Sequence, residues 1–222
     1  MLSTSGESAA ERVYREVKAQ ILTNGIAGGE LISEGDVATR CAVSRTPVRE
    51  AFLRLEAEGW MRLYPKRGAL VVPISDREAR DVVEARALLE EHAVRGIAGH
   101  AADRVALAGQ LGDNVAAHSA VDPDDLAEFS RLDVEFHQLI VSAGDNPLLA
   151  DFYVSLGERH RRMTTSSVHR NTAVASRILD DHRALLADIE RGDADAFAAA
   201  VVVHLAGVHD LRDVTTTLRG RQ

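Results

Sequence analysis

The stretch VSRTPVREA, residues 43–51, decides the fold of the first third of the chain. Ser44 can cap a helix, and Pro47 falls in the first turn of that helix, where a missing N–H costs nothing. At about 100° per residue, Arg45 and Arg49 lie about 40° apart on one face, while the apolar residues gather on another. The stretch therefore predicts an amphipathic helix whose basic face is free to point outward.

This basic face has the chemistry that the major groove of DNA requires. An arginine can bind guanine O6 and N7 bidentately, and the start of a helix favours phosphate. Arg45, Arg49 and the Thr46 hydroxyl all belong to the start of the predicted helix. Two arginines alone would more often mark an ordinary solvated face, so the surrounding sequence has to decide between the two interpretations.

The surrounding sequence supplies the other parts of a winged helix-turn-helix. Apolar periodicity predicts three helices, and two short strands joined by a tight turn follow them. The helical patterns lie over 13–22, 37–41 and 48–55, and the strands over 61–64 and 69–72. We therefore expect a DNA-binding domain over residues 1–74.

The turn of the predicted hairpin adds positive charge. Lys66 and Arg67 lie at its tip, where a wing can meet DNA phosphate. Gly68 gives the tip a residue without a side chain, which permits a close approach to the DNA backbone, although hairpin geometry alone would also explain it.

After Pro73 the pattern becomes helical, with no convincing strand alternation. Gly, Pro and Asn residues break it into six predicted helices. They cover 76–99, 103–119, 123–143, 147–170, 172–191 and 193–219. The expected fold is mainly α, with an antiparallel all-α bundle over residues 75–222.

Composition and charge restrict the class of protein. The chain has 222 residues, of which 45% are hydrophobic and 27% charged, which is ordinary for a globular protein. Cys41 is the only cysteine, and no apolar run reaches the roughly 20 residues of a membrane helix. We expect a soluble cytoplasmic protein with no membrane partner. The net charge of -8 splits into +1 over residues 1–75 and -9 over the rest, so the acidity belongs to the helical part.

Four residues of the helical part are candidates for a metal site. Asp133 and His137 are four residues apart and project from one helix face. If the last two helices turn at Gly192, His182 lies ten residues before the turn and His204 twelve after it. These spacings correspond to heights of about 15 and 18 Å, so the two histidines are level in an antiparallel hairpin. One aspartate and three histidines can thus meet inside the bundle.

Neutral imidazoles and a carboxylate suit a divalent transition metal: zinc first, with nickel, manganese or iron also fitting. An open coordination position would let a carboxylate effector bind directly. The alternative for each histidine is an ordinary hydrogen-bonded core residue. For the other six histidines we expect surface positions or ordinary packing; they are His92, His100, His118, His160, His169 and His209.

The N-terminal part resembles the GntR family of bacterial transcription regulators. The match runs from Ile21 to Val71, and its SRTPVREA segment, residues 44–51, is highly specific for that family. Gly35 departs from some members, which carry a DNA-contacting arginine there. The resemblance implies that operator DNA is contacted by Ser44, Arg45, Thr46 and Arg49, and that Gly68 lies in a wing that reaches the minor groove.

The helical part resembles the FCD ligand-binding domain of the FadR subfamily of these regulators. The stretches 84–90, 133–149 and 182–205 carry the resemblance. It implies that the metal ligands are Asp133, His137, His182 and His204. Six predicted helices are more similar to the VanR-type branch than to the seven-helix form that binds acyl-CoA.

Arg86 is the first candidate for effector binding. It follows the apolar pattern of its helix into the bundle, and the resemblance implies that an arginine there meets the effector. A guanidinium can pair with the carboxylate of an acid. An ion pair with Glu90, four residues on, is an equally good interpretation. Arg159 is a second candidate for the same task.

The sequence thus predicts a homodimeric transcription regulator, a repressor and not an enzyme, that binds a palindromic operator. A small organic acid bound at the metal site would control its operator binding. Three alternatives remain at this point. They are a DNA-binding regulator with a purely structural metal site, a metal-dependent hydrolase, for which no general base or nucleophile motif stands out, and an acyl-CoA sensor.

Overall fold

The computed structural model describes residues 7–122 and 124–211 of the chain. The chain divides into two compact units, Met1–Ile74 and Ser75–Gln222. We call them the N-terminal unit and the helical unit. No helix in the described part of the chain is both long and apolar enough to cross a membrane.

The N-terminal unit is a winged helix-turn-helix, and the mainly α fold class that the sequence predicts is confirmed. Three helices pack together, and a small antiparallel sheet forms the wing. The elements are α1 (Ala9–Leu22), β1 (Leu31–Ile32), α2 (Glu34–Arg40), α3 (Arg45–Ala57), β2 (Met61–Tyr64) and β3 (Gly68–Val71).

Helix α3 is oriented by its apolar face. Val48, Phe52 and Leu55 are completely buried in the core of the unit, and their spacing of three and four residues places them on one side of the helix. Each such side chain contributes roughly 1.5–3 kcal/mol on burial. The opposite side, with Arg45 and Arg49, is exposed.

The wing has three strands in the order β1-β3-β2. The sequence did not predict β1, which is only two residues long and pairs with β3. Gly68 begins β3 at φ +104°, and a Cβ atom there would lie 2.3 Å from the Ile32 carbonyl oxygen. Only glycine permits this backbone conformation and this close approach of the two strands.

The helical unit contains six helices within the described residues. They are α4 (Asp76–Ile97), α5 (Ala101–Ser119), α6 (Leu126–Ser142), α7 (Pro147–Arg170), α8 (Ala173–Arg191) and α9 (Ala194–Val208). Side-chain oxygens cap several N-termini as the sequence predicts: Ser75 Oγ accepts from Glu78 N at 3.1 Å, and Asn146 Oδ1 accepts from Leu149 N at 3.3 Å. Gly192, at φ +70°, ends α8 and allows the chain to reverse into α9.

Two predicted helix boundaries differ from the structure. Helix α6 begins at Leu126, within a few residues of the predicted start at 123, because Asp125 rather than Asp122 caps it. Helix α9 ends at Val208 instead of continuing to residue 219, since His209 and Asp210 form a turn with Asp210 at φ 57°. The rest of that prediction, residues 212–219, lies outside the described residues.

Helix α4 packs against α6, α7 and α9, and α8 packs against α5 and α9. These contacts leave the inner faces of α4, α6, α7, α8 and α9 facing a common interior. Most buried positions in a protein are apolar. This interior, in contrast, contains many buried polar side chains.

Candidate functional site

The predicted DNA-binding residues lie on the surface of the N-terminal unit. Ser44 is the N-cap residue of α3 and makes no side-chain cap hydrogen bond, and its side chain is exposed together with those of Arg45, Thr46 and Arg49. Lys66 and Arg67 are exposed at the tip of the wing. All these predicted polar side chains are therefore accessible to a large ligand.

Helix α3 and the wing share one groove. It has a volume of about 460 Å³, and its lining includes Arg45, Arg49, Lys66, Arg67 and Gly68. Glu34 and Glu56 also line the groove, so its four cationic side chains outnumber the carboxylates. A net positive groove suits a phosphate backbone, while the start of α3 offers the side chains that can read base edges.

The candidate metal site lies in the interior of the helical unit. Asp133 and His137 on α6, His182 on α8 and His204 on α9 each offer one ligand atom, and these atoms all lie within 4.8 Å of one another. The Nε2 atom of His137 is 3.2 Å from the Nε2 atoms of both His182 and His204. The Nε2 atom of His182 is 3.4 Å from Asp133 Oδ1. We call these four residues the metal cluster.

Burial sets the protonation states within the metal cluster. It holds the pKa of His137 well below the usual value and lowers the pKa of His182 to about 3, so both imidazoles are neutral. Burial alone would raise the pKa of Asp133, but contacts with His160 and His182 outweigh it and hold that pKa well below its usual range. Neutral imidazoles and an ionised carboxylate are the forms that bind a metal ion.

Two histidines of the metal cluster are oriented by carboxylates. His137 Nδ1 is 2.7 Å from Glu90 Oε2, and His204 Nδ1 is 3.0 Å from Asp181 Oδ2. Asp181 is ionised, since burial is outweighed by contacts with His204 and Arg177 that lower its pKa, so it accepts from His204 Nδ1. Burial raises the pKa of Glu90 to about 7, and its ionised form accepts from His137 Nδ1. In these forms each Nε2 directs its lone pair toward the centre. Carboxylates that hold metal-binding histidines in this way are typical of metal sites.

His182 is held differently. Its Nδ1 has no hydrogen-bond partner among the described residues, but its ring stacks on Phe136 with 3.8 Å between centroids and 5° between planes. An apolar stacking contact therefore replaces the carboxylate at this position.

Arg86 makes the ion pair with Glu90 that the sequence offered as one interpretation, and its contact with an effector stays a prediction. Its side chain is only 1% exposed, and its Nε lies 3.3 Å from Glu90 Oε1 and 3.0 Å from Tyr153 Oη. Tyr153 in turn donates to Glu90 Oε1 at 2.6 Å. The Nη2 atom of Arg86, however, has no hydrogen-bond partner among the described residues. The guanidinium is anchored beside His137, through Glu90, and still has a free donor edge.

Arg159 occupies another environment. Its side chain is 41% exposed and lies 3.3 Å from Glu78, whereas the residues of the metal cluster are buried. The structure does not bring Arg159 to the buried site.

The sequence reasoning missed His160. We expected ordinary packing, but its Nε2 lies 2.7 Å from Asp133 Oδ2, which also accepts from Thr164 Oγ1 at 2.7 Å. A signal was present: His160 lies fifteen residues after Asp145 and Asp133 twelve before it, which gives heights of about 22 and 18 Å in an antiparallel hairpin. A comparison of helix heights, which predicts the metal cluster, therefore also predicts that His160 lies near Asp133.

A polar cleft of about 790 Å³ opens at the end of the helical unit where α7 and α9 end and α8 begins. Three arginines contribute to its lining, Arg80, Arg170 and Arg177, with Asp76 and Asp210 as the acidic residues. The buried side chain of His209 also lines it. We call this feature the cationic cleft.

The fold and the exposed basic groove together define a class of protein: a DNA-binding module joined to an all-α helical domain. Comparison with known proteins agrees. Residues 9–71 match the model of the bacterial regulatory proteins of the gntR family, and residues 81–207 match the FCD domain. The chain belongs to the GntR family of transcription regulators with an FCD domain.

Relatives of similar length carry the same description. An HTH-type transcriptional regulator in an unstable DNA locus of Streptomyces ambofaciens is 29% identical over 95% of this chain and 87% of its own length. The HTH-type transcriptional repressor RspR of Escherichia coli is 29% identical over 90% of this chain and 87% of its own length. These relatives are transcription regulators and not enzymes.

Solved structures share the fold. A putative GntR regulator from Rhodococcus sp. RHA1 superposes with a TM-score of 0.70 at 19% identity, covering 97% of this chain and all of that one. McbR/YncC of E. coli superposes with a TM-score of 0.62 at 19% identity, covering 97% of this chain and 100% of that one.

Proposed function

We propose that this DNA-binding regulator is a homodimeric, metal-dependent repressor whose operator binding is controlled by a small organic acid. The acid would bind in the helical unit, at a divalent metal held by Asp133, His137, His182 and His204. The observation that carries the proposal is the convergence of three buried imidazole Nε2 atoms and one carboxylate oxygen beside the free edge of a buried guanidinium.

The donor set supports a transition metal. Three nitrogen ligands and one oxygen ligand suit zinc, and nickel, manganese and iron fit as well. Four protein ligands leave a position open in any geometry with five or more ligands. Such a metal would act as a Lewis acid toward a carboxylate oxygen of the effector.

Arg86 would bind the other part of the same acid. Its Nη2 is a charged donor in a dry interior, and an anion is the partner that best offsets its burial. The cationic cleft supports an acid as well, since its arginines raise the local concentration of anions near the end of the bundle.

The N-terminal unit supports the operator-binding half of the proposal. One winged helix offers few base contacts, so two copies on adjacent half-sites of a palindrome would supply the specificity of an operator. In each copy, Ser44, Arg45, Thr46 and Arg49 would enter the major groove while Lys66, Arg67 and Gly68 approach the backbone. A regulator that binds operator DNA would act in the cytoplasm. Repression agrees with the names of two relatives, RspR and the gluconate operon repressor of Bacillus subtilis.

The test is metal analysis of protein purified without an affinity tag, followed by thermal shift with sugar acids, hydroxy acids and dicarboxylates. We expect about one metal ion per chain and a higher melting temperature with at least one acid, because a ligand of the folded state stabilises it. His137→Ala should abolish the metal and the shift, and Arg86→Lys should retain the metal and weaken the shift. His169→Ala, which changes an exposed histidine of α7, is the matched control.

A purely structural metal is the second candidate, because the metal cluster connects α6, α8 and α9 in the interior of the unit. In that case chelation would lower the melting temperature while no acid raised it. A hydrolase is not supported, since the relatives are regulators.

A further inference from the structure

The cationic cleft at the end of the helical unit has the features of a binding site. Its volume of about 790 Å³ falls within the range of small-molecule pockets. Three guanidinium groups reach it from three different helices, and an imidazole reaches it from the turn that follows α9. These side chains are Arg80 on α4, Arg170 on α7, Arg177 on α8 and His209.

The charge balance of the cleft is positive. Asp76 and Asp210 also line it, so three guanidinium groups face two carboxylates. The first residues of α8, Ala173 and Val174, line the cleft as well, and the start of a helix adds partial positive charge. The cleft therefore favours an anion.

His209 brings a buried polar atom without a partner to the cleft. This residue is only 8% exposed, and its Nε2 has no hydrogen-bond partner among the described residues. Most buried polar groups in proteins are hydrogen-bonded, so this atom calls for a water or a ligand. Because His209 lines the cleft, a ligand in the cleft can supply the missing contact.

The other ring nitrogen of His209 indicates what that ligand must offer. Nδ1 lies 3.1 Å from Ser167 Oγ, which accepts from Arg170 Nη2 at 3.4 Å. Since a guanidinium only donates, the hydroxyl proton of Ser167 is available for His209 Nδ1. Burial lowers the pKa of His209 well below the usual value, and a neutral imidazole that accepts at Nδ1 carries its proton on Nε2. Nε2 then offers a donor, and an anion accepts from it.

Arg177 is held in position although its side chain is partly exposed. Its Nη1 donates to the Gly207 carbonyl oxygen at 3.3 Å, and its Nε lies 3.5 Å from Asp181 Oδ2. Gly207 also provides the space for the guanidinium, because a Cβ atom there would overlap Arg177 Nη2. A side chain that is already ordered loses less entropy when it binds a ligand.

The arrangement of donors favours a phosphate group over a carboxylate. Donors from several elements surround one cavity, so their common partner must accept from several directions. A phosphate group presents three oxygens in a tetrahedral arrangement and up to two negative charges, whereas a carboxylate presents two oxygens in one plane. Arginine is also the side chain whose planar fork best matches phosphate.

We propose that the cationic cleft binds a phosphate group, with Arg80, Arg170, Arg177 and His209 as its donors. This inference goes beyond the proposed function, because the site uses no residue of the metal cluster. His209 follows His204 by five residues, which corresponds to about 7.5 Å along a helix. The phosphate group would therefore lie more than one helical turn from the metal, toward the end of the bundle.

The test is calorimetric titration of the cobalt-loaded protein with inorganic phosphate at constant ionic strength, with the absorption spectrum recorded in parallel. We expect saturable binding and an unchanged spectrum, since the phosphate does not reach the metal. Acetate at the same concentration should raise the phosphate Kd by no more than about twofold, because a carboxylate engages fewer of the donors. Titration with glycerol 3-phosphate separates the two sources of the group. Tighter binding than that of inorganic phosphate indicates a phosphate monoester, and equal or weaker binding indicates the free ion.

Four variants locate the binding. Arg170→Gln and His209→Phe each remove a donor, so each should raise the phosphate Kd by about tenfold or more. Gly207→Ala displaces the Arg177 guanidinium and changes no charge, so it should weaken binding while the melting temperature is maintained. Arg191→Gln makes the same change of charge at the other end of α8 and should leave the phosphate Kd within about twofold of the wild-type value.

The contradicting outcomes are distinct from those of the proposed function. Equal phosphate affinity in the wild type, Arg170→Gln and Gly207→Ala would refute the cleft site, and so would the absence of binding by either phosphate compound. A cobalt spectrum that changes in proportion to bound phosphate would place the ion on the metal and refute it as well. None of these results alters the response to organic acids, which the thermal-shift panel measures.

Discussion

At the scale of single residues, the carboxylate of Asp133 divides its two oxygens between two tasks. Oδ2 accepts from His160 and Thr164, while Oδ1 faces His182 at 3.4 Å. With Oδ2 already engaged by two donors, Asp133 has one oxygen left for a metal, which favours one-oxygen ligation. Hydrogen bonds of this kind, made to a metal ligand by its neighbours, help to fix the orientation of that ligand.

Asp181 should contribute strongly to metal affinity, although it is not itself one of the four ligands. Its carboxylate accepts from His204 Nδ1, so Asp181→Asn should remove the charge from this hydrogen bond, weaken the hold on the imidazole and lower the metal affinity by about 10- to 100-fold. Competition with a chelator measures this directly. Asp180→Asn changes the neighbouring exposed carboxylate, which bonds Arg183, and should leave the affinity unchanged. Equal affinities for both variants would remove Asp181 from the site.

Gly68→Ala should destabilise the N-terminal unit. The new Cβ would lie 2.3 Å from the Ile32 carbonyl oxygen at a φ of +104°. Strain of this kind costs on the order of 1–3 kcal/mol. Urea unfolding followed by the fluorescence of Trp60, the only tryptophan, measures the loss. Gly109→Ala in α5, where a Cβ would meet nothing within 4 Å, should instead stabilise the helical unit by about 0.5–1 kcal/mol.

Residue-level prediction succeeded where spacing along helices determines the geometry. The four residues of the metal cluster follow from helix faces and heights, which the sequence contains. Glu90 and Asp181 could not be found this way, because their contacts depend on how neighbouring helices pack and rotate. The contact at Gly35 could not be found from spacing either: a Cβ there would lie 3.3 Å from Arg45 Nη2, so Arg45 lies against this glycine.

At the scale of elements, Glu58 joins three parts of the N-terminal unit. It lies just after α3 and accepts from Tyr14 and Lys18 of α1, at 2.8 Å each, and from Trp60 Nε1 before β2 at 3.1 Å. Arg54 adds a fourth donor at 3.2 Å. Burial would raise the pKa of Glu58, but the hydrogen bonds from Lys18 and Tyr14 outweigh it and lower that pKa below its usual value.

This lowered pKa predicts the acid sensitivity of the unit. A carboxyl group whose pKa is lower in the folded than in the unfolded state contributes stability that is complete above the unfolded value, 4.5, and is lost as the pH falls through the folded value. Glu58→Gln should therefore reduce stability at pH 7 and flatten its decline below about pH 4.5. Urea unfolding at several pH values tests this. A decline of unchanged steepness in Glu58→Gln would contradict it.

The cationic cleft should control how fast an acid reaches the interior of the helical unit. Arg170→Glu reverses a charge of the cationic cleft, so it should slow the association of an acid effector several-fold and leave its dissociation rate nearly unchanged. Stopped-flow measurements at two salt concentrations separate the rates. Arg191→Glu, at the other end of α8, is the control. Equal slowing by both substitutions would mean that only the net charge matters.

The elements that the sequence missed are those without a periodic signal. Strand β1 has two residues, too few for alternation to appear, and it exists because β3 offers a free edge. The end of α9 was placed too late because apolar residues continue to Val208 and Leu211, so hydropathy does not mark the turn at His209. The longer helices were predicted to within a few residues because their apolar periodicity and caps agree.

At the scale of the whole molecule, the two units differ in net charge and are joined through helix α4. The acidic excess of -9 lies beyond residue 75, while the DNA-binding part is slightly basic. Helix α4 begins two residues after Ile74, the last residue of the N-terminal unit, and carries Arg86 and Glu90. An acid bound to Arg86 would therefore contact the helix that follows the DNA-binding unit directly in the chain. Control of DNA binding requires that the acid bind the two functional states with different affinity.

The most direct test of the central claim is fluorescence anisotropy of metal-loaded protein on a duplex that it selects from a random library. The operator Kd is measured with and without the acid that gives the largest thermal shift. We predict that the acid raises the operator Kd of the wild type by about 5- to 150-fold and leaves that of His137→Ala unchanged, although both bind the duplex. The same change in both proteins, or no change in either, would show that the buried site does not control DNA binding.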